Sequence, residues 1–221
     1  MAGERWASFD CYGTLIDWMG GIRATLHDIW PEHDAELLLA AYHRIEPEVQ
    51  QGRSASYRQV LAESLERVAR REGLELHEDD RQALGHSLPT WPPFPEVPAA
   101  LAEIRARGWH VAILSNTDPD LLDASLEAIG VPVDVRITAA EAGSYKPAPG
   151  HWDRFFADTG AERERHVHVA ASLFHDIAPA AELGLRAVWI NRLRETSDLP
   201  RAAELTELTK LPETLDDLVG A

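Results

Sequence analysis

Two turns of the chain place polar side chains directly after apolar runs. Asp10 follows residues 6–9, and Ser115 and Asn116 follow residues 111–114. Short apolar runs bounded by turn residues are typical of buried strands, and parallel strands present the residues at their carboxyl ends along one edge of a sheet. At that edge a carboxylate can act as a nucleophile, while hydroxyl and amide groups can hold an anion. Asp10 could equally begin an ordinary turn, which is a common use of aspartate.

Two further polar groups come later in the chain. Lys146 stands before Pro147 in a loop, and Asp176 lies shortly after a predicted strand at residues 166–170. A buried carboxylate nucleophile must stay ionised, and an ammonium group about 4 Å away supplies about 4 kcal/mol at an effective dielectric constant near 20, roughly three pKa units. Lys146 therefore has a physical task beside Asp10, although a lone lysine in a loop is more often simply solvated.

Helix capping is a competing explanation for several of these residues, because Ser, Thr, Asp and Asn often precede a helix. Asp176 could cap a helix over residues 176–183. Asp118 suits the capping of the next helix, at residues 119–129, better than Ser115 does. Ser115 is therefore left free for another task.

The residues that begin at Asp10 resemble motif I of the haloacid dehalogenase (HAD) superfamily. Phosphatases of that superfamily carry Asp-x-Asp-Gly-Thr-Leu, whereas Tyr12 replaces the second acid here. The resulting Asp-x-Tyr-Gly-Thr-Leu is similar to the motif of the L-2-haloacid dehalogenase branch. The other motifs that resemble this branch are Ser115-Asn116 (motif II), Lys146-Pro147 (motif III) and residues 168–176 (motif IV).

This resemblance implies a Rossmann-like α/β core with a parallel sheet and an inserted helical cap. It also implies a hydrolase that cleaves the carbon–halogen bond of short 2-haloacids: Asp10 attacks the α-carbon, halide leaves, and water hydrolyses the aspartyl ester. Holding nucleophile and substrate in line can supply about 7–11 kcal/mol of the barrier, so neither a metal nor another cofactor is expected. The implied catalytic residues are Asp10, Thr14, Ser115, Asn116, Lys146 and Asp176, and the implied substrate contacts are Cys11, Tyr12, Arg44 and Ser172.

The chain departs from the branch at several positions. Ala171 stands where phosphatases carry an acidic Mg²⁺ ligand and dehalogenases carry serine, Leu173 replaces an asparagine, and Trp152 replaces a tyrosine. The cap arginine of the branch is out of register, and His43 and Arg44 are the nearest cationic candidates. Two alternatives therefore stay open: a Mg²⁺-dependent phosphatase, and a HAD-fold protein with a degraded site that acts by binding.

Helical periodicity fills the stretch after motif I. The predicted helices cover residues 20–30, 34–50, 57–71 and 79–87. In the second helix Leu37, Leu38, Ala41, Tyr42 and Ile45 have the spacing of one buried face. Asp34 is its predicted N-cap, and Gly52 and Gly73 are predicted stops.

Four prolines in residues 89–95 exclude a helix or a central strand there, and we interpret them as a hinge. We therefore expect a helical cap over residues 17–92, and a core over residues 1–16 and 93–221.

Helices and strands alternate in the rest of the chain. Together with residues 6–9, the predicted strands are 111–114, 133–137, 166–170 and 187–190, and the predicted helices are 98–107, 119–129, 149–159, 176–183 and 212–219. Such alternation predicts a parallel sheet that is covered on both faces.

The composition argues against several classes of function. Thirty-seven acidic side chains outnumber 21 Lys and Arg, and the net charge of −16 disfavours a nucleic-acid-binding face. No apolar run approaches the ~18 residues of a membrane span. The single cysteine, Cys11, permits no internal disulfide, and the neighbouring Asp10 would raise its thiol pKa, which argues against a nucleophilic thiol. We expect a cytoplasmic protein without nucleic-acid or membrane partners, acting on a small-molecule 2-halocarboxylate and able to form a homodimer.

Overall fold

A six-stranded sheet forms the centre of the protein, whose computed structural model describes residues 3–50 and 56–220. The strands are β1 (Arg5–Phe9), β2 (Trp109–Ser115), β3 (Val135–Thr138), β4 (His166–Ala170), β5 (Ala187–Ile190) and β6 (Ala203–Leu205). Their order is β3-β2-β1-β4-β5-β6, and every neighbouring pair is parallel. This is the doubly wound Rossmann order, in which ligands bind beyond the carboxyl ends of the strands where the strand order reverses. The predicted α/β class is confirmed.

Helices occupy most of the remaining described chain. They are α1 (Trp18–Ile29), α2 (Ala35–Gln50), α3 (Tyr57–Glu72), α4 (Ala83–Ser87), α5 (Val97–Ala106), α6 (Pro119–Ile129), α7 (Ala139–Ala142), α8 (Gly150–Thr159), α9 (Ala178–Glu182) and α10 (Leu211–Val219). Single 3-10 turns cover Glu78–Asp80, Leu88–Thr90 and Arg163–Arg165, and a π-helical turn covers Leu173–Ile177. None of these helices, within the described ranges, has the length and apolar character needed to cross a membrane.

Alternate residues of the central strands enter two separate apolar clusters. Phe9, Ile113 and Val169 belong to one cluster, which also receives side chains from α1 to α6 and α10. Leu114 and Trp189 belong to the other, together with side chains of α8 and α9. Because successive strand residues point to opposite faces, the two clusters cover both faces of the sheet, as the alternating pattern predicted.

Several short elements differ from the sequence prediction, and the helix predicted over residues 79–87 is instead the 3-10 turn Glu78–Asp80 followed by α4. β6 was not predicted, because its three residues are only partly buried and form no apolar run. The four-residue α7 was also missed. The helix predicted over residues 176–183 begins earlier, as the π-helical turn, and continues as α9.

The stretch Trp18–Thr90, called here the helical segment, contains α1 to α4. In α2, Asp34 caps the N-terminus as predicted, since its Oδ1 accepts the backbone N–H of Glu36 at 2.9 Å. The prediction for Leu37 was wrong: this side chain is 68% exposed. The buried stripe of α2 is narrower than the apolar pattern suggested, and it begins at Leu38.

The ends of α3 are capped from two directions. Gly73 ends the helix in the left-handed conformation, as predicted, whereas the predicted stop at Gly52 lies outside the described residues. Asp118 corrects another expectation, because its carboxylate makes no capping hydrogen bond to α6. It accepts instead the backbone N–H groups of Tyr57 at 2.8 Å and Arg58 at 3.0 Å, so a residue beyond β2 caps α3.

The proline-rich stretch pairs with the chain that leaves β1. Leu88–Thr90 forms a 3-10 turn, so the expectation that no helix occurs in this stretch was wrong. A proline in the first turn, here Pro89, is tolerated because its missing N–H needs no partner there. Beyond the turn, the backbone N–H of Phe94 donates to Leu15 O at 2.9 Å. The two crossings into and out of the helical segment therefore lie side by side.

Candidate active site

Asp10 lies at the carboxyl end of β1, where the strand order reverses. Gly13 has φ +85°, a backbone conformation that side chains with a Cβ rarely adopt, and this turn brings Thr14 back toward Asp10. The Thr14 hydroxyl donates to Asp10 Oδ2 at 2.8 Å and accepts the backbone N–H of Ala171 at 2.9 Å. Because the Ala171 N–H occupies the acceptor side of the hydroxyl, the Thr14 proton is directed at the Asp10 carboxylate.

Lys146 joins the two buried carboxylates of the site. Its Nζ lies 2.9 Å from Asp10 Oδ1, 2.7 Å from Asp176 Oδ1 and 2.8 Å from the Leu114 carbonyl oxygen. An ammonium group has three N–H donors, so all three are used, and the residue is only 2% exposed. Lys146, Asp10 and Asp176 therefore form a fixed ion-pair cluster at the ends of β1, β2 and β4.

Burial and the shared ammonium push the two carboxyl groups in opposite directions. Burial raises the pKa of Asp10 above its ordinary value of 3.8; Lys146 lowers it, and Asp176 raises it further. Lys146 therefore acts on the pKa of Asp10 in the expected direction, against the effect of burial. The pKa of Asp176 is lowered, because Lys146 and His168 together outweigh its burial. The carboxylates of Asp10 and Asp176 raise the pKa of Lys146 despite its burial, so the ammonium stays charged.

A row of buried polar groups, which was not predicted from the sequence, leads from Asp176 to His168, Ser8 and His166. His168 Nε2 lies 3.0 Å from Asp176 Oδ1, and Ser8 Oγ lies 2.8 Å from both His168 Nδ1 and His166 Nε2. A carboxylate only accepts hydrogen bonds, so His168 Nε2 carries a proton and donates it to Asp176. Burial lowers the pKa of His166 to about 3, which keeps that ring neutral. Asp176 is thus no helix cap; the Ser172 hydroxyl caps the following turn by accepting the His175 N–H at 3.1 Å.

Ser115 and Asn116 end β2 but differ in their surroundings. The Asn116 side chain accepts the Lys146 backbone N–H at 2.7 Å and donates to the Lys146 carbonyl oxygen at 2.9 Å. It therefore holds the backbone that carries the ammonium group. The Ser115 hydroxyl is fully buried and has no hydrogen-bond partner within the described chain.

The ion-pair cluster opens into a cavity of about 660 Å³. Tyr12 and Ser172 line it as predicted, and the Tyr12 hydroxyl lies 3.0 Å from Ser125 Oγ. Cys11 is fully buried and does not line the cavity. Burial, and to a smaller extent the charge of Asp10, raises the pKa of its thiol well above the ordinary value. The pKa of the Cys11 thiol is thus shifted in the predicted direction.

The predicted substrate contact Arg44 lies on the exposed side of α2 and does not line the cavity. The reason is helical geometry: successive residues point about 100° apart. His43 faces the cavity instead, stacked on Trp18 with ring centroids 4.9 Å apart. Its pKa is lowered by burial and by Arg23, so it is mostly neutral at pH 7.

The helical segment contributes cavity residues that the sequence reasoning missed. They include Trp18, Arg23, Glu46, Gln50 and Tyr57. Glu46 is 5% exposed, and burial raises its pKa to about 7. One signal was available: this acid stands in the apolar stripe of α2, next to Ile45 and one turn after Tyr42.

The departures from the family pattern lie around this cavity. Ala171 and Leu173 line it, whereas Trp152 is buried beside His168 with ring centroids 5.3 Å apart. In the described ranges, no three His, Cys, Asp or Glu side chains come together as metal ligands. The arrangement instead offers a carboxylate held by an ammonium and a hydroxyl, which suits nucleophilic attack followed by hydrolysis.

Comparisons with known proteins agree with this geometry. The sequence model for haloacid dehalogenase-like hydrolases matches residues 5–184. The chain is 30% identical over 217 residues to (S)-2-haloacid dehalogenase 1 of Pseudomonas sp. strain CBS-3, covering 94% of each chain. It is 28% identical over 224 residues to (S)-2-haloacid dehalogenase of Pseudomonas sp. strain YL, covering 96% of this chain and 95% of that one. The L-2-haloacid dehalogenase of Xanthobacter autotrophicus, solved with chloropropionic acid covalently bound, superposes with a TM-score of 0.84 at 22% identity over 96% of this chain and 98% of that one.

Proposed function

This chain belongs to the haloacid dehalogenase-like hydrolases, and we propose that it hydrolyses the carbon–halogen bond of short 2-haloacids through an ester on Asp10. The observation that carries the proposal is the single carboxylate of Asp10, held between Lys146 and Thr14 with no acid two residues on. The relatives named (S)-2-haloacid dehalogenase support the choice of substrate.

The first step is displacement at the α-carbon. An oxygen of Asp10 forms a bond to that carbon, the carbon–halogen bond breaks, and the halide leaves with the bonding electrons. Lys146 and Thr14 fix the nucleophile, and alignment of nucleophile and substrate can supply about 7–11 kcal/mol of the barrier. A halide needs no general acid, whereas the alkoxide leaving group of a phosphate ester does. Tyr12, whose phenol pKa is raised by burial, is a poor acid and suits the halide better.

The second step is hydrolysis of the ester. Water attacks the carboxyl carbon of Asp10, and the 2-hydroxy acid leaves with the oxygen that Asp10 contributed. Asp176 Oδ2 is buried and accepts no hydrogen bond from the described residues. It is therefore available to position the water, to receive its proton and to pass that proton to the alkoxide oxygen of the departing 2-hydroxy acid. Lys146, between the two carboxylates, balances the charge that develops.

The remaining roles follow the same scheme. The Asn116 side chain and the backbone N–H groups of Cys11 and Tyr12 hold the substrate carboxylate, and Ser172 lines the pocket beside them. Ser115 is fully buried outside the cavity lining and therefore acts only at the end of β2, next to Asn116. Residues 17–92, which contain the helical segment, act as a cap over a core of residues 1–16 and 93–221. Its two crossings pair side by side, which suits a hinge. We place the protein in the cytoplasm, and a homodimer is compatible with the scheme.

An isotope experiment tests the ester. With enzyme in excess over 2-chloropropionate in ¹⁸O-water, one turnover should place ¹⁸O in the Asp10 carboxyl group and leave the lactate unlabelled. Trypsin releases residues 6–23 as one peptide that also contains Asp17, an internal control that should stay unlabelled. Labelled lactate with unlabelled Asp10 would mean that water strikes the substrate directly. Mg²⁺-dependent phosphate release without halide release would favour a phosphatase, and neither activity would favour a binding protein.

A further inference from the structure

We infer that the cavity selects 2-haloacids that carry an ammonium group at the far end of their carbon chain, and that Glu46 is the residue that pairs with it. The inference deepens the proposed function, on which its catalytic part rests. It concerns the part of the cavity that is lined by the helical segment.

The first argument is the state of the Glu46 carboxyl group. Its Oε1 accepts a hydrogen bond from the Tyr57 hydroxyl at 3.3 Å and another from Gln50 Nε2. Oε2 accepts none within the described ranges, and no cation there pairs with this carboxyl group. A buried carboxyl group without a cation is unfavourable when charged, so a cationic ligand is the partner that would stabilise it most.

The second argument is that the cations lining the cavity are already used. Lys146 pairs with Asp10 and Asp176, Arg192 pairs with Glu96 at 2.8 Å, and Arg23 pairs with Glu36. These three cations face five acids in the lining, namely Asp10, Asp17, Glu46, Asp176 and Glu195. A ligand with a positive group would offset that excess.

The third argument concerns size and aromatic surface. A cavity of about 660 Å³ is far larger than a three-carbon acid requires. The aromatic side chains Tyr12, Trp18 and Tyr57 line it near Glu46. Aromatic faces attract ammonium groups through the negative charge of their ring faces. The carboxyl group of Glu46 and these three aromatic rings together form an environment that suits an ammonium group.

The position of Glu46 also connects it to the reacting groups. Gln50 donates to Glu46 and lies 3.5 Å from Asn116 Nδ2, and Asn116 holds the backbone of Lys146. A ligand that pairs with Glu46 would therefore touch the same network that fixes the ammonium group beside Asp10.

A titration with ligands that carry no halogen separates binding from dehalogenation. Calorimetry should compare 6-aminohexanoate with hexanoate, and 4-aminobutanoate with butanoate. The wild-type protein should bind the better-fitting amino acid at least about tenfold more tightly than its match, because hydrogen bonds to charged groups contribute about 1.5–3 kcal/mol. Glu46→Gln should abolish the difference. The matched control is Glu48→Gln, an exposed acid on the same helix, which should keep it.

The pH dependence gives a second readout that needs no variant. Tyr42, Tyr57 and Tyr145 are the titratable groups that interact with Glu46, and their raised pKa values keep them neutral through this range. His43, on the same helix, and Arg23 add no negative charge. Glu46, with a pKa of about 7, is protonated below pH 6 and ionised above pH 8. Affinity for the amino ligand should therefore rise between pH 6 and pH 8, and affinity for hexanoate should not.

Halide release completes the test. With an enzyme-free blank, kcat/KM for 2-chloro-6-aminohexanoate should exceed that for 2-chlorohexanoate, and Glu46→Gln should remove the preference. Halide release without any amino preference would overturn this inference and leave the proposed function standing. Amino preference in binding with no halide release from either acid would support the role of Glu46 and overturn the proposed function. Equal binding of the amino and plain acids, unchanged by Glu46→Gln, would overturn the inference.

Discussion

The core half of the cavity and its helical half differ in how their polar groups are partnered. In the core half, formed by Asp10, Thr14, Lys146 and Asp176, every donor of Lys146 and Thr14 already has an acceptor. In the helical half, Glu46 is a buried carboxyl group without a cation in the described chain. A network whose donors are all used has one geometry, which suits a reaction, and Asp176 Oδ2 stays open to a water molecule. A partly unpartnered surface suits selection of a substrate, so we propose that the two halves divide chemistry from specificity.

The largest effect should come from the nucleophile. Asp10→Asn removes the charge that attacks carbon, and halide release should fall by about 10⁴-fold or more. Steady-state halide assays of the purified variant measure it. Asp28→Asn, at an exposed position of α1, is the control and should retain wild-type rates. Retention of more than a tenth of the activity in Asp10→Asn would place the chemistry outside the core half.

Loss of the central cation should damage both activity and folding. Lys146→Met leaves two buried carboxyl groups facing each other, and breaking a buried ion pair costs about 3–5 kcal/mol. Urea unfolding should show that decrease, and halide release should drop by about 10²-fold or more. The only other lysine, Lys210, is exposed, and Lys210→Met should change neither. An unchanged unfolding midpoint in Lys146→Met would show that the cluster is not the tight network described.

The core half could be predicted from the sequence because it depends on strand ends. Asp10 and Ser115 each follow a buried strand, and parallel order brings such ends together. The resemblance to motifs III and IV of the superfamily then identified Lys146 and Asp176 as their companions. The row from Asp176 through His168 to Ser8 was not predicted, because it depends on which strand neighbours β1 and in what register. Strand register is a long-range property that local patterns do not contain.

The helical half was harder to predict, because the rotation of a helix decides which side chains enter the cavity. His43 and Arg44 were indistinguishable by sequence, yet only His43 lines the cavity. Glu46 interrupts the apolar stripe of α2, and an acid at such a position indicates a buried polar group with a functional role. Asp118 looked like a cap for its own helix, and only the packed structure shows that it caps α3.

A smaller effect should separate positioning from nucleophilicity in the core half. Thr14→Val removes the hydroxyl that donates to Asp10 and accepts from Ala171, and one hydrogen bond to a charged group contributes about 1.5–3 kcal/mol. We expect kcat for halide release to fall by roughly 10- to 100-fold with little change in KM. Thr14→Ser keeps the hydroxyl and should recover most of the rate. If serine and valine are equally slow, the methyl group rather than the hydrogen bond positions Asp10.

The smallest effect should test whether the core also holds the helical half in place. Asp118→Ala removes the carboxylate that accepts the backbone N–H groups of Tyr57 and Arg58, and a lost helix cap costs about 1–2 kcal/mol. Ser56→Ala removes the hydroxyl that caps α3 from its own N-terminus. That hydroxyl accepts a single, exposed hydrogen bond from the Gln59 N–H at 3.3 Å. We therefore expect Asp118→Ala to lower the free energy of unfolding more than Ser56→Ala does, as measured by urea titration of both variants. Because Tyr57 also donates to Glu46, Asp118→Ala should weaken the binding of 6-aminohexanoate. The variant leaves the Asp10 cluster intact, so kcat for 2-chloropropionate should stay within about threefold of the wild-type value. The opposite order of stabilities would mean that α3 is capped by its own residues and that the core half does not set the position of the helical half.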